Sequence, residues 1–251
     1  MCRIAGWMRR GEDKLSKDEL VSLLLNMQVG GIDATGVGFF RDGKIITIKA
    51  PGPAKNFVKD RTFLDHIPSI LNSPWVLLHT RNATHGSPSD NENNHPIMNS
   101  KGMIIHNGVV YSKEELESIG ETDSEQLMLH IQKYGWEGIR NFTGTMAIAY
   151  VELGKPGFYL YRHASQLVWA YSPDRNILFF CSTSGILLNS IRYSMVLNEF
   201  PNILVSNVPK DTIFHITNKI EEVIKVEAKS WVLDKDREIA YFLPNYSGFS
   251  V

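Results

Sequence analysis

The sequence has few of the residues that would place it outside the ordinary globular class. Two cysteines among 251 residues are too few for a disulfide framework. Glycine and proline together form about an eighth of the chain, which excludes collagen and low-complexity disorder. No apolar run approaches the roughly 18 residues of a membrane-spanning helix, and no secretory leader opens the chain. These absences predict a cytoplasmic protein that does not contact a membrane.

The charge balance and the motifs also argue against nucleic-acid and nucleotide binding. The 26 basic and 27 acidic residues give a net charge of -1, so no basic surface is expected. No G-x-G-x-x-G run is present. The segment 38–44 matches the start of a phosphate-binding loop, but Ile45 follows in place of the Ser or Thr that would hold Mg²⁺. An Asp-Gly at 42–43 between two β-type runs predicts a hairpin there instead.

Local signals divide the chain into helices and short strands. Capping boxes at 16–19 and 122–125 predict helices through about Met27 and Tyr134, and a further helix is predicted at 184–193. Predicted strands elsewhere are short and follow one another with few helices between them. This pattern is typical of an α+β fold in which helices cover antiparallel sheets. No linker is visible, so we expect one domain over residues 2–251, with 230–251 as a C-terminal tail.

Cys2 has the sharpest chemical interpretation. Removal of Met1 would leave its thiol beside a free α-amino group with an unperturbed pKa of about 7.7 to 8.0. That amine can act as the general base for its own side chain, so no separate histidine is needed. The alternative is that a cysteine occurs at position 2 by chance and has no catalytic role. Cys181 lies in an apolar run and is expected to be buried and inert.

Three further groups would complete an amide hydrolase that acts on an amino acid. Asn107 and Gly108 offer a side-chain amide and a backbone N–H for an oxyanion. Arg81 suits a carboxylate, and Asp123, at a helix start, suits an ammonium. Taken singly, these could be a turn asparagine, a surface arginine and a capping acid.

Four histidines fall within 28 residues, which raises the alternative of a zinc site. Their spacing does not fit H-E-x-x-H and no cysteine lies in the neighbouring loop, so structural roles are favoured. The four are His79, His85, His95 and His106.

In their order along the chain, five blocks resemble the glutaminase domain of class II glutamine amidotransferases, within the N-terminal nucleophile hydrolases. The third block has the form seen in glucosamine-6-phosphate synthase, and the match covers roughly residues 2 to 220. The blocks are MCRIAG at 1–6, GGIDATG at 30–36, HTRNATHG at 79–86, NHP at 94–96 with HNG at 106–108, and ETDSE at 121–125.

The resemblance implies a four-layer αββα sandwich and a glutaminase that needs no cofactor or metal. It implies Cys2 as the nucleophile, with Asn107 and Gly108 as the oxyanion hole. Arg81 would bind the glutamine α-carboxylate and Asp123 the α-ammonium group. The pocket would also be lined by Thr84 and His85, and Asp33 would pack near the nucleophile.

The chain departs from the family pattern in three places, none of which removes a catalytic group. Asn82 stands where an aromatic residue is usual, Gly30 replaces an arginine, and Ala34 with Thr35 replaces Ser-Ala. The loop over glutamine is therefore expected to be less apolar. Beyond the sandwich only 230–251 remains, too short for the acceptor domain that family members usually carry.

We therefore expect a stand-alone glutaminase that passes ammonia to a separate acceptor protein. The aromatic tail is a candidate for docking or self-association, or simply packs on its own domain. Two other functions remain open: a Cys-nucleophile hydrolase of N-acyl or bile-salt amides, and a catalytically idle regulatory or binding module.

Overall fold

The computed structural model describes residues 2–112, 122–191 and 202–225. The strands are β1 (Arg3–Arg9), β2 (Ala34–Arg41), β3 (Lys44–Pro51), β4 (Trp75–Arg81), β5 (Ile97–Asn99), β6 (Gly102–Ser112), β7 (Phe142–Glu152), β8 (Phe158–His163), β9 (Val168–Ser172), β10 (Ile177–Cys181), β11 (Leu204–Asn207), β12 (Thr212–Ile216) and β13 (Ile220–Lys225). The α-helices are α1 (Lys17–Met27), α2 (Ala54–Phe57), α3 (Arg61–Asn72), α4 (Asp123–Tyr134) and α5 (Ser184–Ser190). Short 3₁₀ helices occupy Gln28–Gly30, Asn91–Asn93 and Trp136–Asn141.

The strands form two antiparallel sheets. One contains seven strands in the order β11-β9-β10-β1-β4-β2-β3, and the other six in the order β13-β12-β8-β7-β6-β5. The first strand of the chain lies in the middle of the seven-stranded sheet, paired with β10 on one side and β4 on the other. Because both sides of β1 are hydrogen-bonded, Cys2 is held at the end of a rigid central strand.

Side chains from the two sheets and the helices build three apolar layers. Along β1, Ile4 and Met8 pack between the sheets, whereas Ala5 and Trp7 pack on the outer face against α1, α3 and α5. Helix α4 covers the outer face of the six-stranded sheet through residues such as Leu127. Helix, sheet, sheet and helix thus alternate, which confirms the predicted α+β class and the four-layer αββα sandwich of antiparallel sheets.

Both predicted capping boxes begin helices. The Ser16 hydroxyl accepts from the Glu19 amide at 3.1 Å, and the Glu19 carboxylate accepts from the Ser16 amide at 2.6 Å. Thr122 accepts from the Glu125 amide at 3.2 Å at the start of α4. These bonds satisfy amides that have no partner within the helix, which is why the signal can be recognised locally.

The segment that resembles a phosphate-binding loop is a hairpin. Strands β2 and β3 pair along their whole length around Asp42 and Gly43, whose φ angles are 51° and 77°. Two successive left-handed residues form the tight turn that matches strand twist. A strand follows Gly43 where a phosphate site needs a helix N-terminus.

Helix α3 was not predicted from the sequence. The Asp60 side chain caps it by accepting from the Thr62 amide at 2.8 Å, and Phe63 and Ile67 lie on its buried face. Pro68 inside the helix interrupts the helical pattern. Residues 106–108 lie within the single long strand β6.

Parts of the sequence interpretation fall on residues that the structure does not describe. These are the tail at 230–251 and the last two residues of the helix predicted at 184–193. The described part of that helix is α5, which ends at Ser190. Among the helices that are described, none combines the length and apolar character needed to cross a membrane.

Candidate functional site

Cys2 opens onto a narrow pocket at one end of the sandwich. Its thiol lies against the backbone of Asn82, which donates to Sγ from the amide at 3.3 Å and accepts from it at the carbonyl at 3.5 Å. The cavity has a volume of about 20 Å³. Its lining residues are Cys2, Arg81, Asn82, Thr84, His85, Asn93, His95, His106, Gly108, Thr122, Asp123 and Ser124. Six of the seven residues predicted for the site therefore share one pocket.

The surroundings of Cys2 favour the protonated thiol. Burial raises the pKa of the Cys2 thiol, and the backbone hydrogen bond from Asn82 partly opposes this rise. The charge of Arg81 lowers the pKa and that of Asp123 raises it, so the two side chains act in opposite directions on the sulfur. A thiol with a raised pKa needs a base to become a nucleophile.

Arg81 ends β4 with its guanidinium turned into the polar loop that follows. Nη1 donates to the Asn94 side-chain oxygen at 2.8 Å, and Nη2 donates to the carbonyls of His85 and Gly86, the latter at 3.1 Å. The residue is 4% exposed, and burial lowers the pKa of its guanidinium. No carboxylate in the described ranges forms an ion pair with Arg81. A buried cation that has no direct ion-pair partner favours an anionic ligand.

Asp123 is the first residue of α4 and faces the same pocket. One carboxylate oxygen accepts from the Val110 amide at 3.1 Å, and the other accepts from the Ser124 hydroxyl at 3.3 Å. The N-terminal end of a helix stabilises negative charge. These contacts hold a carboxylate in the pocket that Cys2 and Arg81 also line.

Asn107 is the predicted site residue that does not line the pocket. Side chains alternate along β6, so Asn107 shares the face of Ile105 between the sheets, whereas His106 is directed at α4. Asn107 is 4% exposed, and within the described chain its Oδ1 has no hydrogen-bond partner. Gly108 lines the pocket with φ 155°, and a Cβ there would lie 1.9 Å from the Thr145 carbonyl oxygen.

Three of the four clustered histidines meet behind the pocket as uncharged rings. His79 stacks on His95 at 4.1 Å between ring centroids, and its Nε2 bonds to the His106 carbonyl at 3.0 Å. Burial lowers the pKa of His79 to about 3 and also lowers those of His95 and His106. No set of three His, Cys, Asp or Glu side chains in the described ranges is arranged to hold a metal ion.

The loop between β4 and β5 contributes groups that sequence reasoning missed. Asn94 orients Arg81 and binds the Pro88 carbonyl at 2.8 Å, and both ring nitrogens of His95 are buried without a hydrogen-bond partner among the described residues. His85, which was predicted to line the pocket, contributes its backbone carbonyl as an acceptor for Arg81. Thr84 is exposed at the rim. A run of small polar residues was the available signal, and it does not distinguish these positions from one another.

The remaining predicted positions have structural roles. Asp33 accepts from the Ala83 amide at 2.7 Å and so supports the segment that contacts the Cys2 thiol. Cys181 is fully buried in β10, and burial raises the pKa of its thiol to about 12. The side chain of Asn82 is exposed, so this residue acts at Cys2 through its backbone.

A second cavity, of about 490 Å³, lies at the opposite end of β1. Its walls include Met8, Phe40 and Trp75. No cysteine or histidine lines it, and at its rim Lys155 pairs with Glu152 at 3.1 Å. Although it is larger, it lacks the nucleophile and base that chemistry needs, so the Cys2 pocket is the candidate active site.

Comparisons with known proteins show what the whole chain is similar to. No protein-family model matches the chain. The glutamine–fructose-6-phosphate aminotransferase (isomerizing) of Aquifex aeolicus is 30% identical over 176 residues, or 62% of this chain and 28% of that protein. The Staphylococcus aureus (strain Mu50) protein of the same name is 26% identical over 261 residues, or 96% of this chain and 39% of that protein. The chain therefore spans well under half the length of these relatives.

A solved structure of an amidotransferase is similar to this chain in fold. The glutamine phosphoribosylpyrophosphate amidotransferase from B. subtilis superposes with a TM-score of 0.63 at 14% identity, covering 88% of this chain and 49% of that one. Sequence and fold agree: the chain is similar in sequence to glutamine–fructose-6-phosphate aminotransferases and similar in fold to a glutamine phosphoribosylpyrophosphate amidotransferase.

Proposed function

We propose that this chain hydrolyses the side-chain amide of glutamine to glutamate and ammonia, with the thiol of Cys2 as nucleophile after removal of Met1. One observation carries the proposal: Cys2 shares a pocket with the cation of Arg81 and the carboxylate of Asp123. An α-amino acid presents the complementary pair of charges. Since each charge is held by a protein element around the sulfur, a bound amino acid would direct its side chain at Cys2.

In this proposal Arg81 binds the α-carboxylate and Asp123 the α-ammonium group. The α-carboxylate of glutamine accepts the guanidinium hydrogen bonds that Arg81 otherwise donates to the carbonyls of His85 and Gly86. The pocket, at about 20 Å³, must widen to admit glutamine, and that exchange of partners moves the loop outward. Thr84 and His85 then line the side of the bound substrate.

The reaction uses the α-amine of Cys2 as general base. The amine takes the thiol proton, and the thiolate attacks the carboxamide carbon to form a tetrahedral oxyanion. The backbone N–H of Gly108, which lines the pocket, and the side-chain N–H of the neighbouring Asn107 are the donors proposed to stabilise that oxyanion. The C–N bond of the carboxamide breaks as the protonated α-amine of Cys2 returns its proton to the leaving nitrogen, and ammonia departs. Water then hydrolyses the γ-glutamyl thioester to glutamate and the free thiol.

The setting of the reaction is also part of the proposal. The relatives by sequence continue well past the portion matched here, with 61% or more of their length outside it. We infer that residues 2–251 act as one stand-alone domain in the cytoplasm and that ammonia passes to an acceptor protein outside these residues. The tail at 230–251 is a candidate for contact with that acceptor or with a second copy of the chain.

The test is glutamate release by the purified chain, after intact mass has shown whether Met1 is removed. Processed wild-type protein should form glutamate, and an electrophilic glutamine analogue should add one label at Cys2. Cys2→Ala should lose activity by about 10³-fold or more. Cys181→Ala is the matched thiol control and should stay active.

Three results would contradict the proposal. Equal activity in wild type and Cys2→Ala would remove the nucleophile. Hydrolysis of N-acyl amides but not of glutamine would favour the related hydrolase. Retention of Met1 together with no turnover, even with acceptor proteins, would favour the idle binding module, because a blocked amine does not act as base.

A further inference from the structure

Arg3, the first residue of β1, folds its side chain back onto the nucleophile residue. Its Nη1 donates to the carbonyl oxygen of Cys2 at 3.0 Å. The backbone of Arg3 is fixed by pairing with Thr80 of β4, at the centre of the sheet. Because the donor belongs to a fixed residue, the hydrogen bond restrains the peptide plane of Cys2 and with it the direction of the thiol and the amine.

The path of this side chain requires a glycine at position 30. A Cβ on Gly30 would lie 2.3 Å from Cγ of Arg3, 2.8 Å from its Nε and 2.9 Å from its Cδ. Three atoms along the side chain are involved, so a methyl group there would displace the side chain as a whole. Gly30 ends a 3₁₀ helix and does not have a left-handed φ, so alanine is compatible with its backbone.

Arg3 also adds a positive charge beside Cys2. No carboxylate in the described ranges forms an ion pair with it. The Cys2 carbonyl carbon is two covalent bonds from the Cys2 nitrogen, so the guanidinium lies close to the α-amine. The other charged or titratable groups around Cys2 come from the segment before β2, from β4 and its following loop, from β6 and from α4: Asp33, Arg81, His85, His95, His106 and Asp123.

A neighbouring cation disfavours the protonated amine and so favours its basic, uncharged form. Of the groups around Cys2, Arg81 and Asp123 oppose each other, and the buried histidines are uncharged. Arg3 therefore shifts the balance of charge near the amine toward positive. We infer that Arg3 is a positioning residue that fixes the carbonyl of Cys2 and keeps its α-amine available as the base, with Gly30 providing the space for the side chain.

This inference rests on the proposed glutaminase function, and its test is the pH profile of kcat/KM, which reports ionisations of the free enzyme. Arg3→Met should lower kcat/KM about tenfold at neutral pH and move the acid limb upward by about 0.5 to 1 pH unit. Arg3→Lys, which retains charge but not the guanidinium geometry, should keep the position of the limb with a smaller loss of rate. Arg41→Met, at the far end of β2, is the matched control and should leave the profile unchanged.

Gly30→Ala gives an independent perturbation that leaves Arg3 in the sequence. It should reproduce the profile of Arg3→Met, and the double variant should be no worse than either single variant, because the guanidinium that the methyl group would displace is then already absent. Thermal unfolding identifies any variant that fails to fold, in which case Arg3→Lys and Gly30→Ala decide the outcome.

Different outcomes would contradict the role of Arg3 and the proposed glutaminase function. An unshifted acid limb in Arg3→Met, or additive losses in the double variant, would overturn the role of Arg3 while wild-type glutaminase activity persists. Absence of Cys2-dependent glutamate release in wild type would instead overturn the proposed function itself, and the role of Arg3 with it.

Discussion

The backbone of Asn82 contacts the thiol of Cys2 with both of its polar groups, the amide at 3.3 Å and the carbonyl at 3.5 Å from Sγ. The next residue, Ala83, is held by Asp33 through a 2.7 Å hydrogen bond to its amide. A carboxylate from the segment before β2 thus supports the backbone segment that contacts the Cys2 thiol.

Asp33→Ala is expected to lower kcat/KM about tenfold, because the loss of a hydrogen bond to a charged group frees the segment around the sulfur. Asp33→Asn keeps an acceptor oxygen and should lose less. The rate of iodoacetamide alkylation of Cys2 against pH measures the effect directly. Asp65→Ala, an exposed carboxylate on α3, is the control. Equal activity and alkylation in Asp33→Ala and wild type would show that this bond does not position the thiol.

Arg81 and Asp123 should each recognise one charge of the substrate. Arg81→Met is expected to raise KM for glutamine about 10- to 100-fold and to weaken discrimination against glutamine α-amide, which lacks the carboxylate. Asp123→Asn should instead weaken discrimination against the deamino analogue, which lacks the ammonium. Steady-state kinetics on the three substrates measure both effects. If either variant lost activity equally on all three compounds, the charge removed by that substitution would not be what recognises the substrate.

Gly108→Ala is expected to destabilise the fold by about 2 kcal/mol or more, because its Cβ would clash with the Thr145 carbonyl in a backbone conformation that suits glycine. Gly185→Ala, in α5, meets nothing within 4 Å and should be neutral or stabilise by up to about 1 kcal/mol. Urea unfolding of the two variants measures the contrast. Equal midpoints would mean that β6 tolerates a side chain at the pocket.

Acid should destabilise the protein through its buried histidines. The unfolded chain protonates His79 near pH 6.5, whereas the folded protein does so near a pKa of about 3. Between these values the unfolded state binds more protons, so the free energy of unfolding falls as the pH falls, by about 1.4 kcal/mol per pH unit within the window for one such group. His95 and His106 act in the same direction.

Urea unfolding between pH 7 and 4 should therefore show a smaller slope against pH in His79→Gln, which retains an N–H for the His106 carbonyl. His66→Gln, on the outer helix α3, is the control and should keep the wild-type slope. An unchanged slope in His79→Gln would place the acid sensitivity elsewhere.

The sequence predicted the features that depend on neighbouring residues. The capping boxes at Ser16 and Thr122 and the turn at Asp42 are completed within a few positions, so local pattern suffices. Helix α3 was missed because Pro68 lies within it and its packing against the sheet outweighs local propensity.

At the site, residue types were predictable but their partners were not. Cys2, Arg81 and Asp123 come together as expected, yet the contacts of Arg81 with loop carbonyls and of Arg3 with Cys2 depend on how the backbone folds. Asn107 illustrates the limit most clearly. The sequence shows an amide next to a glycine, but the alternation of β6 decides which of the two faces the cavity.

The central place of β1 has a consequence for synthesis on the ribosome. Ala5 pairs with Cys181 and Trp7 with Phe179, partners that are translated more than 170 residues later. A nascent chain therefore has no completed sheet in which to hold Cys2 until β10 has emerged, and pairs so distant in sequence form slowly. Chains that stop short of residue 181 should carry Cys2 without its pocket, so under the proposed function premature termination would release inert protein rather than an unregulated source of ammonia.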